Sequence, residues 1–213
     1  LGILPLVILP LALRPLGLQR RRAKTFLLRT VYRYLDLRYR RTPQQFPFLD
    51  FDRAGLLPHH EDVDLEDQFF GTYDGVDFSL CEARLTKMVG GLITDRTERE
   101  VYHGILCHLT FPKRFRGHTI ACRDAGAVGN FLRLVGEAEP VVLEDPRFES
   151  MFKVHSSDQV EARYLMTPSF MERVMALAKA FGTQSVELAF LSDHLLMSIR
   201  VEKDQFEGGE VFQ

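Results

Sequence analysis

The sequence lacks the short motifs by which many enzymes are identified. Its 213 residues hold no glycine-rich phosphate loop, no Cys-x-x-Cys pair and no convergent set of nucleophile and base. Cysteine is scarce: Cys81, Cys107 and Cys122 lie far apart in apolar, alternating stretches. An odd, widely spaced set favours reduced thiols in a core over a disulfide framework, which fits a cytoplasmic protein. We expect no cofactor.

Charge is absent from the first residues and one-sided in the segment that follows. Leu1 to Leu13 has no charged residue, whereas residues 14–41 carry ten bases and one acid, Asp36. That segment sums to +9, and because the whole chain has a formal charge of -2, residues 42–213 sum to -11. An acidic body argues against nucleic acid as a partner. A basic neck suits anionic lipid headgroups.

The apolar opening has three interpretations. An apolar run followed at once by arginines is typical of a membrane segment that ends on the cytoplasmic side. A helix of this length rises only about 20 Å against a bilayer core of about 30 Å, so the run would be the end of a longer segment. The alternatives are a signal-peptide remnant and a buried or interfacial helix. We predict that residues 1–18 end a transmembrane segment in the inner membrane, with the globular domain on the cytoplasmic side.

Residues 19–42 are predicted to form a basic amphipathic juxtamembrane helix. At about 100° per residue, Leu27, Val31 and Leu35 share one side of it. The opposite, basic side can lie along lipid headgroups or simply face solvent. Residues 43–67 contain three prolines and a cluster of acids, which predicts an irregular connector.

From residue 68 the apolar period becomes two, which predicts antiparallel strands. Asp74-Gly75 fits a type I′ hairpin turn, because both residues accept positive φ. The predicted strand pairs are Gln68–Tyr73 with Val76–Leu85, Val101–Phe111 with Gly117–Arg123, and Val186–Leu191 with Leu195–Val201.

Two helical pieces are predicted to meet near Met166. Asp158, with Glu161 three residues later, can cap the first, and Thr167-Pro168 can begin the second, which Gly182 can end. We therefore predict an α+β domain over residues 68–213: an antiparallel sheet of about six strands with a helix packed on one face. The juxtamembrane helix and the end of the transmembrane helix would precede it.

Several stretches of the sequence resemble a bacterial membrane-anchored family, the domain-of-unknown-function family 3137. The most specific is Val154–Met171, within which Glu161-Ala162-Arg163-Tyr164 leads to Thr167-Pro168. The resemblance covers residues 14–201 and implies hydrophobic helices ahead of a cytoplasmic α+β domain. It brings no established catalytic residues. Its other matching stretches are Leu65–Asp67, Gly71–Val76, Glu82–Leu85 and Phe111–Gly117.

One predicted loop carries side chains of the kind that bind divalent metal ions. His59, His60 and Asp62 lie close together, with Glu61, Asp64 and Glu66 nearby. Imidazole and carboxylate can hold such an ion, although the spacing matches no defined metal motif. The alternative is a solvated acidic connector.

Two groups of bases are candidate contacts to lipid or to a partner. Lys113, Arg114 and Arg116 flank Phe115 in a loop between predicted strands. The loop can touch anionic lipid or can be an ordinary solvated loop. The other group is the cluster Arg20, Arg21, Arg22 and Lys24 in the basic neck.

Two further patterns have simpler structural explanations. His155, Ser156 and Asp158 are the residue types of a catalytic triad, but helix capping explains the serine and the aspartate. Glu161 with Arg163, and Glu82 with Arg84, can form buried ion pairs that join helix and sheet.

These observations favour a non-enzymatic binding or interaction module, tethered to the membrane by its N-terminal segment. Its partners would be membrane lipid and a membrane protein. The alternative is a metal-assisted enzyme with a site near the loop from His59 to Glu66.

Overall fold

The computed structural model describes residues 37–90, 96–123, 125–181 and 186–201. The predicted transmembrane end, residues 1–18, and the first part of the predicted juxtamembrane helix lie outside these ranges. Across the described residues, no helix has both the length and the apolar character needed to cross a bilayer. The C-terminal end of the predicted juxtamembrane helix is wrong. Arg38–Arg40 forms a strand, β1, which pairs with residues Phe70 to Gln68.

Nine strands form one antiparallel sheet over the described residues, in the order β1-β2-β3-β4-β9-β8-β5-β7-β6. Three of them, β2, β3 and β4, have 12 to 14 residues and make up most of its area. The strands after β1 are β2 (Asp62–Tyr73), β3 (Val76–Val89), β4 (Thr97–Thr110), β5 (Thr119–Cys122), β6 (Glu139–Pro140), β7 (Lys153–Ser156), β8 (Val186–Leu191) and β9 (His194–Arg200).

Helices cover both faces of the sheet. One face packs against α3 (Pro146–Met151), α4 (Gln159–Leu165) and α5 (Pro168–Ala180) around Phe148, Val174 and Leu188. The other packs against α1 (Phe48–Arg53) and α2 (Ala125–Val135) around Phe51, Phe131 and Leu106. The prediction of six strands with a helix on one face is therefore wrong. The short strands β1, β6 and β7 escaped prediction because two to four residues are too few to show a period.

Local turn and cap predictions are confirmed. Asp74 and Gly75 have φ of 49° and 76° in the turn between β2 and β3. Asp158 accepts hydrogen bonds from the N–H groups of Val160 and Glu161, and the Thr167 hydroxyl accepts one from Phe170 N–H. Gly182, the predicted end of α5, lies outside the described residues.

Two predictions about connections differ from the structure. The stretch predicted as an irregular connector, residues 43–67, contains α1 and the first half of β2. The predicted pairing of β4 with β5 is also wrong, because β9 and β8 lie between them. β9 pairs with β4 from His194 to Arg200 and buries Leu195, Met197 and Ile199, which β5 could not supply with its four residues.

Candidate functional site

Strand polarity brings the start of β1 and the predicted basic loop to one end of the sheet. Arg38 pairs with Phe70, and β1 then runs away from the turn at Asp74-Gly75. β4 finishes at Thr110, which pairs with His194 beside the turn between β8 and β9. The chain therefore reaches β1 from the end of the sheet that carries residues 111–118. We call this end, with its exposed bases Arg38, Lys113, Arg114 and Arg116, the basic end.

The basic loop is held in place by its backbone and by one aromatic side chain. The Phe115 ring lies edge-on to Phe190, with ring centroids 5.3 Å apart, and Phe115 N–H donates to the carbonyl of Ser192. The Glu161 carboxylate accepts hydrogen bonds from Arg116 N–H at 2.9 Å and from Gly117 N–H at 2.6 Å. This anchoring leaves the side chains of Lys113, Arg114 and Arg116 exposed.

Acidic side chains at the same end are mostly engaged with neighbours. The Thr72 hydroxyl donates to Asp77, and His194 Nε2 lies 3.0 Å from an Asp193 oxygen. Asp74 is exposed in the hairpin turn. The exposed cations that this end presents are Lys113, Arg114 and Arg116 of the loop and Arg38 of β1.

The other predicted lipid contacts, Arg20, Arg21, Arg22 and Lys24, lie outside the described residues. The predicted buried pairs of Glu82 with Arg84 and of Glu161 with Arg163 are not formed. Arg84 instead lies 3.3 Å from Glu100 in an exposed pair, and the buried Glu82 lies 2.7 Å from His103 Nε2. Ser156 is buried and hydrogen-bonded to Thr119 at 2.8 Å, as a residue of the sheet.

The predicted metal ligands lie near the start of β2. His59 and Asp62 are exposed, and His60 Nδ1 lies 2.9 Å from the Pro58 carbonyl, with its ring edge-on to Phe48. Within the described ranges, no three or more His, Cys, Asp or Glu side chains are grouped so that they could hold a metal ion. A metal site at His59, His60 and Asp62 stays a prediction.

The three cysteines are free and buried, as predicted. Burial raises the pKa of the Cys107 thiol to about 12, so the thiol is protonated at neutral pH. A protonated, buried thiol is a poor nucleophile.

A cavity of about 440 Å³ lies between the sheet and the helices α1 and α2. We call it the helix–sheet cavity. Its floor is formed by Tyr102 on β4 and by Ser198 and Arg200 on β9, near the middle of β4. The rest of its lining comes from Gly55, Leu56, Leu57 and Pro58 after α1, Arg123, Ala127 and Asn130 around the start of α2, and Glu187 on β8.

Two buried hydroxyl groups form the polar part of the floor. Tyr102 Oη lies 2.9 Å from Ser198 Oγ, and both residues are only 3% exposed. Burial raises the pKa of Tyr102, so the phenol remains protonated. The Arg200 guanidinium lies 5.4 Å from the centre of the Tyr102 ring, in cation–π geometry.

Two glycines allow this arrangement. A Cβ at Gly104 would lie 2.6 Å from Tyr102 Oη and 2.3 Å from the Ile199 carbonyl oxygen. Gly55 has φ of +73°, and a Cβ there would lie 2.3 Å from Asn130 Cβ. Both positions therefore require glycine, one for the floor and one for the close approach of the loop to α2.

Sequence reasoning missed the cavity and a histidine pair. The cavity residues are spread along the sequence from Gly55 to Arg200. The one local feature that could have indicated the cavity is Gly104, a glycine inside the apolar strand β4. His108 and His194 lie on neighbouring strands with ring centroids 4.6 Å apart. Among the described residues, His108 Nε2 is buried and has no hydrogen-bond partner.

Comparison with known proteins gives one matching family model and one similar solved structure. Residues 100–213 match the family model described as protein of unknown function (DUF3137). No curated protein matches the sequence. Among solved structures, the crystal structure of the mycobacterial trehalose monomycolate transport factor A is similar, with 10% sequence identity and a TM-score of 0.43. The match covers 87% of this chain and 86% of that one.

Proposed function

We propose that this chain, which belongs to the DUF3137 family of proteins of unknown function, is a membrane-tethered binding module that turns its basic end toward anionic lipid. The N-terminal segment is the tether, and the acidic body lies on the cytoplasmic side of the inner membrane. The role is non-enzymatic: the module holds a membrane protein or lipid partner at this surface.

One observation carries the proposal: the chain enters the sheet from the same end that exposes Lys113, Arg114 and Arg116. A tether that arrives at this end holds the loop near the headgroups to which the N-terminal segment is attached. Each base near an anionic surface contributes about 1 kcal/mol, and that contribution decays within roughly 10 Å. The anchoring of the loop by Phe115 and Glu161 means that little backbone order has to be acquired on contact.

The sequence contains no tryptophan, so a single introduced tryptophan can report on this orientation. The full chain is reconstituted in vesicles that contain brominated phosphatidylglycerol, which quenches nearby indoles. We expect tryptophan in place of the exposed Pro112 to be quenched. Tryptophan in place of the exposed Glu98, at the far end of β4, should not be quenched.

A matched pair of triple variants then tests the charges. Lys113→Gln, Arg114→Gln and Arg116→Gln together should reduce the quenching at position 112. The control variant loses the same number of charges at strand ends that point away from the basic end. It combines Lys87→Gln, Arg99→Gln and Lys153→Gln, and it should leave the quenching at position 112 unchanged. Equal quenching at positions 98 and 112, or equal effects of the two triple variants, would contradict the proposed orientation.

A further inference from the structure

We infer that the helix–sheet cavity binds a small soluble oxyanion, a carboxylate or phosphate monoester, which Arg200 holds by its charge and the hydroxyl groups of Tyr102 and Ser198 orient. This goes beyond the proposed membrane-facing role, because the cavity lies away from the basic end. Its volume of about 440 Å³ falls in the range of small-molecule sites, which is about 300 to 1,000 Å³.

The charge of the cavity differs from that of the body around it. Arg123 and Arg200 contribute two positive charges and Glu187 one negative charge. Residues 42–213 as a whole sum to -11, so two arginines in the lining of one cavity are unusual for this body. A guanidinium presents a planar set of donors that matches carboxylate and phosphate oxygens.

Arg200 is the side chain best placed to meet the anion. Among the described residues it forms no ion pair, and its contact is the face of the Tyr102 ring. That contact orients the guanidinium without consuming its hydrogen-bond donors. A charge that is positioned but not neutralised is what an anion-binding side chain requires.

The floor supplies a donor for a second ligand oxygen. Tyr102 and Ser198 have two hydroxyl hydrogens between them, and their mutual hydrogen bond uses one. The second hydrogen is not used by that bond, and in the proposed complex it is donated to an oxygen of the ligand. Leu56 and Leu57, both buried, form an apolar wall that suits a short hydrocarbon or ring portion of the ligand.

Position in the fold favours a soluble ligand over a lipid headgroup. Arg200 pairs with Gly104, six residues along β4 from Thr110 at the basic end. At about 3.4 Å per residue, the cavity floor is about 20 Å from that end. A headgroup in the bilayer that faces the basic end does not reach it.

The test is isothermal titration of the full chain in detergent micelles. The probes are sodium succinate and sodium phosphate, at constant ionic strength set with chloride, and a short-chain phosphatidylglycerol represents the lipid headgroup. We expect succinate or phosphate to bind and the lipid to bind more weakly. Failure of both succinate and phosphate to bind would overturn the inference, and stronger binding of the lipid would overturn the soluble source.

Variants locate the binding. Arg200→Gln should weaken binding at least about tenfold, since a charge-assisted hydrogen bond is worth about 1.5 to 3 kcal/mol. Arg200→Lys keeps the charge and should weaken it less, and Ser198→Ala should weaken it severalfold. Arg163→Gln, the same change on an exposed arginine of α4 on the opposite face, is the control. Equal affinity in Arg200→Gln and Arg163→Gln would overturn the assignment. The tryptophan quenching described above involves no cavity residue, so it can succeed or fail independently.

Discussion

At the scale of single residues, Gly104 shows how one missing side chain shapes the floor of the cavity. The residue lies in the interior of β4, where glycine is otherwise unfavourable. A Cβ there would meet the Ile199 carbonyl oxygen, a backbone atom of the neighbouring strand that cannot move aside without breaking the ladder. The close approach of Tyr102 Oη to Gly104 depends on the same free space.

Gly104→Ala is therefore expected to lower the free energy of unfolding by about 2 to 3 kcal/mol, as for an overpacked core. The control is Gly129→Ala in α2, where an added Cβ would meet nothing within 4 Å. That change should raise stability by up to about 1 kcal/mol, because alanine favours the helix. Urea denaturation of both variants measures the difference, and a loss at Gly129 as large as that at Gly104 would contradict the steric explanation.

His108 predicts a dependence of stability on pH. Its pKa is lowered from 6.5 to about 4, chiefly by burial and also by nearby His194, while Asp50 and Asp193 act in the opposite sense. Between these two values the unfolded chain binds more protons than the folded protein. The free energy of unfolding should therefore fall as pH decreases from about 6.5 to about 4, and this contribution should level off below that.

The contribution of His108 is smaller than the about 1.4 kcal/mol per pKa unit of a fully buried group, because the ring is only half-buried. Denaturation across this pH window should show a shallower fall for His108→Gln than for the unmodified protein. Burial also lowers the pKa of His155, so part of the fall remains in that variant. Identical profiles for His108→Gln and the unmodified protein would refute the role of His108.

At the scale of elements, the first turn of α4 joins the helix to the basic loop. Glu161 follows the cap Asp158, but its carboxylate does not turn back to the cap as in a capping box. It accepts instead from two backbone N–H groups of the loop, those of Arg116 and Gly117. A helix terminus thereby fixes the backbone of the loop that carries Lys113, Arg114 and Arg116.

Glu161→Ala should lower the free energy of unfolding by about 1 to 3 kcal/mol, because two donors lose a charged acceptor. Cleavage by trypsin at Lys113, Arg114 and Arg116 should become faster, since the loop is held less firmly. Limited proteolysis followed by mass spectrometry locates the cuts. Glu137→Ala, at an exposed position between α2 and β6, should change neither quantity. Cleavage as slow in Glu161→Ala as in this control would show that the carboxylate does not anchor the loop.

At the scale of the whole molecule, charge separates along the chain. Residues 14–41 sum to +9 and residues 42–213 to -11, and β1, in the described part of the basic segment, starts at the basic end. An anionic surface therefore attracts the basic segment and repels the acidic body. This arrangement favours one orientation of the body over all others.

Changing Arg20, Arg21, Arg22 and Lys24 to glutamine should weaken the association of the full chain with phosphatidylglycerol vesicles, by up to about 4 kcal/mol at about 1 kcal/mol per base. Association with neutral phosphatidylcholine vesicles should change little. Flotation at increasing salt measures both, and the difference between the two lipids should disappear at high salt. If association with neutral vesicles decreased as much as association with anionic vesicles, the bases would not act through lipid charge.

The sequence by itself determined the parts of the fold that depend on a few adjacent residues. The Asp74-Gly75 turn, the Ser192-Asp193 hairpin and the caps at Asp158 and Thr167 follow from backbone conformation and nearby hydrogen bonds. The burial of Cys81, Cys107 and Cys122 followed from apolar alternation. In each case the pattern and its cause lie in the same short stretch.

Only the tertiary structure decided the order of the strands, the covering of both faces by helices, and the cavity. β9 takes the place beside β4 because its apolar side chains are buried there. The two paired strands are about ninety residues apart in the sequence, so no local pattern records their pairing. The cavity likewise joins Gly55, Tyr102, Arg123 and Arg200, which become neighbours only when α1 and α2 pack on the sheet. The hydrophobic effect is non-directional, so a local apolar pattern does not specify which distant segment will cover it. That choice is made only when all the segments compete in the folding chain.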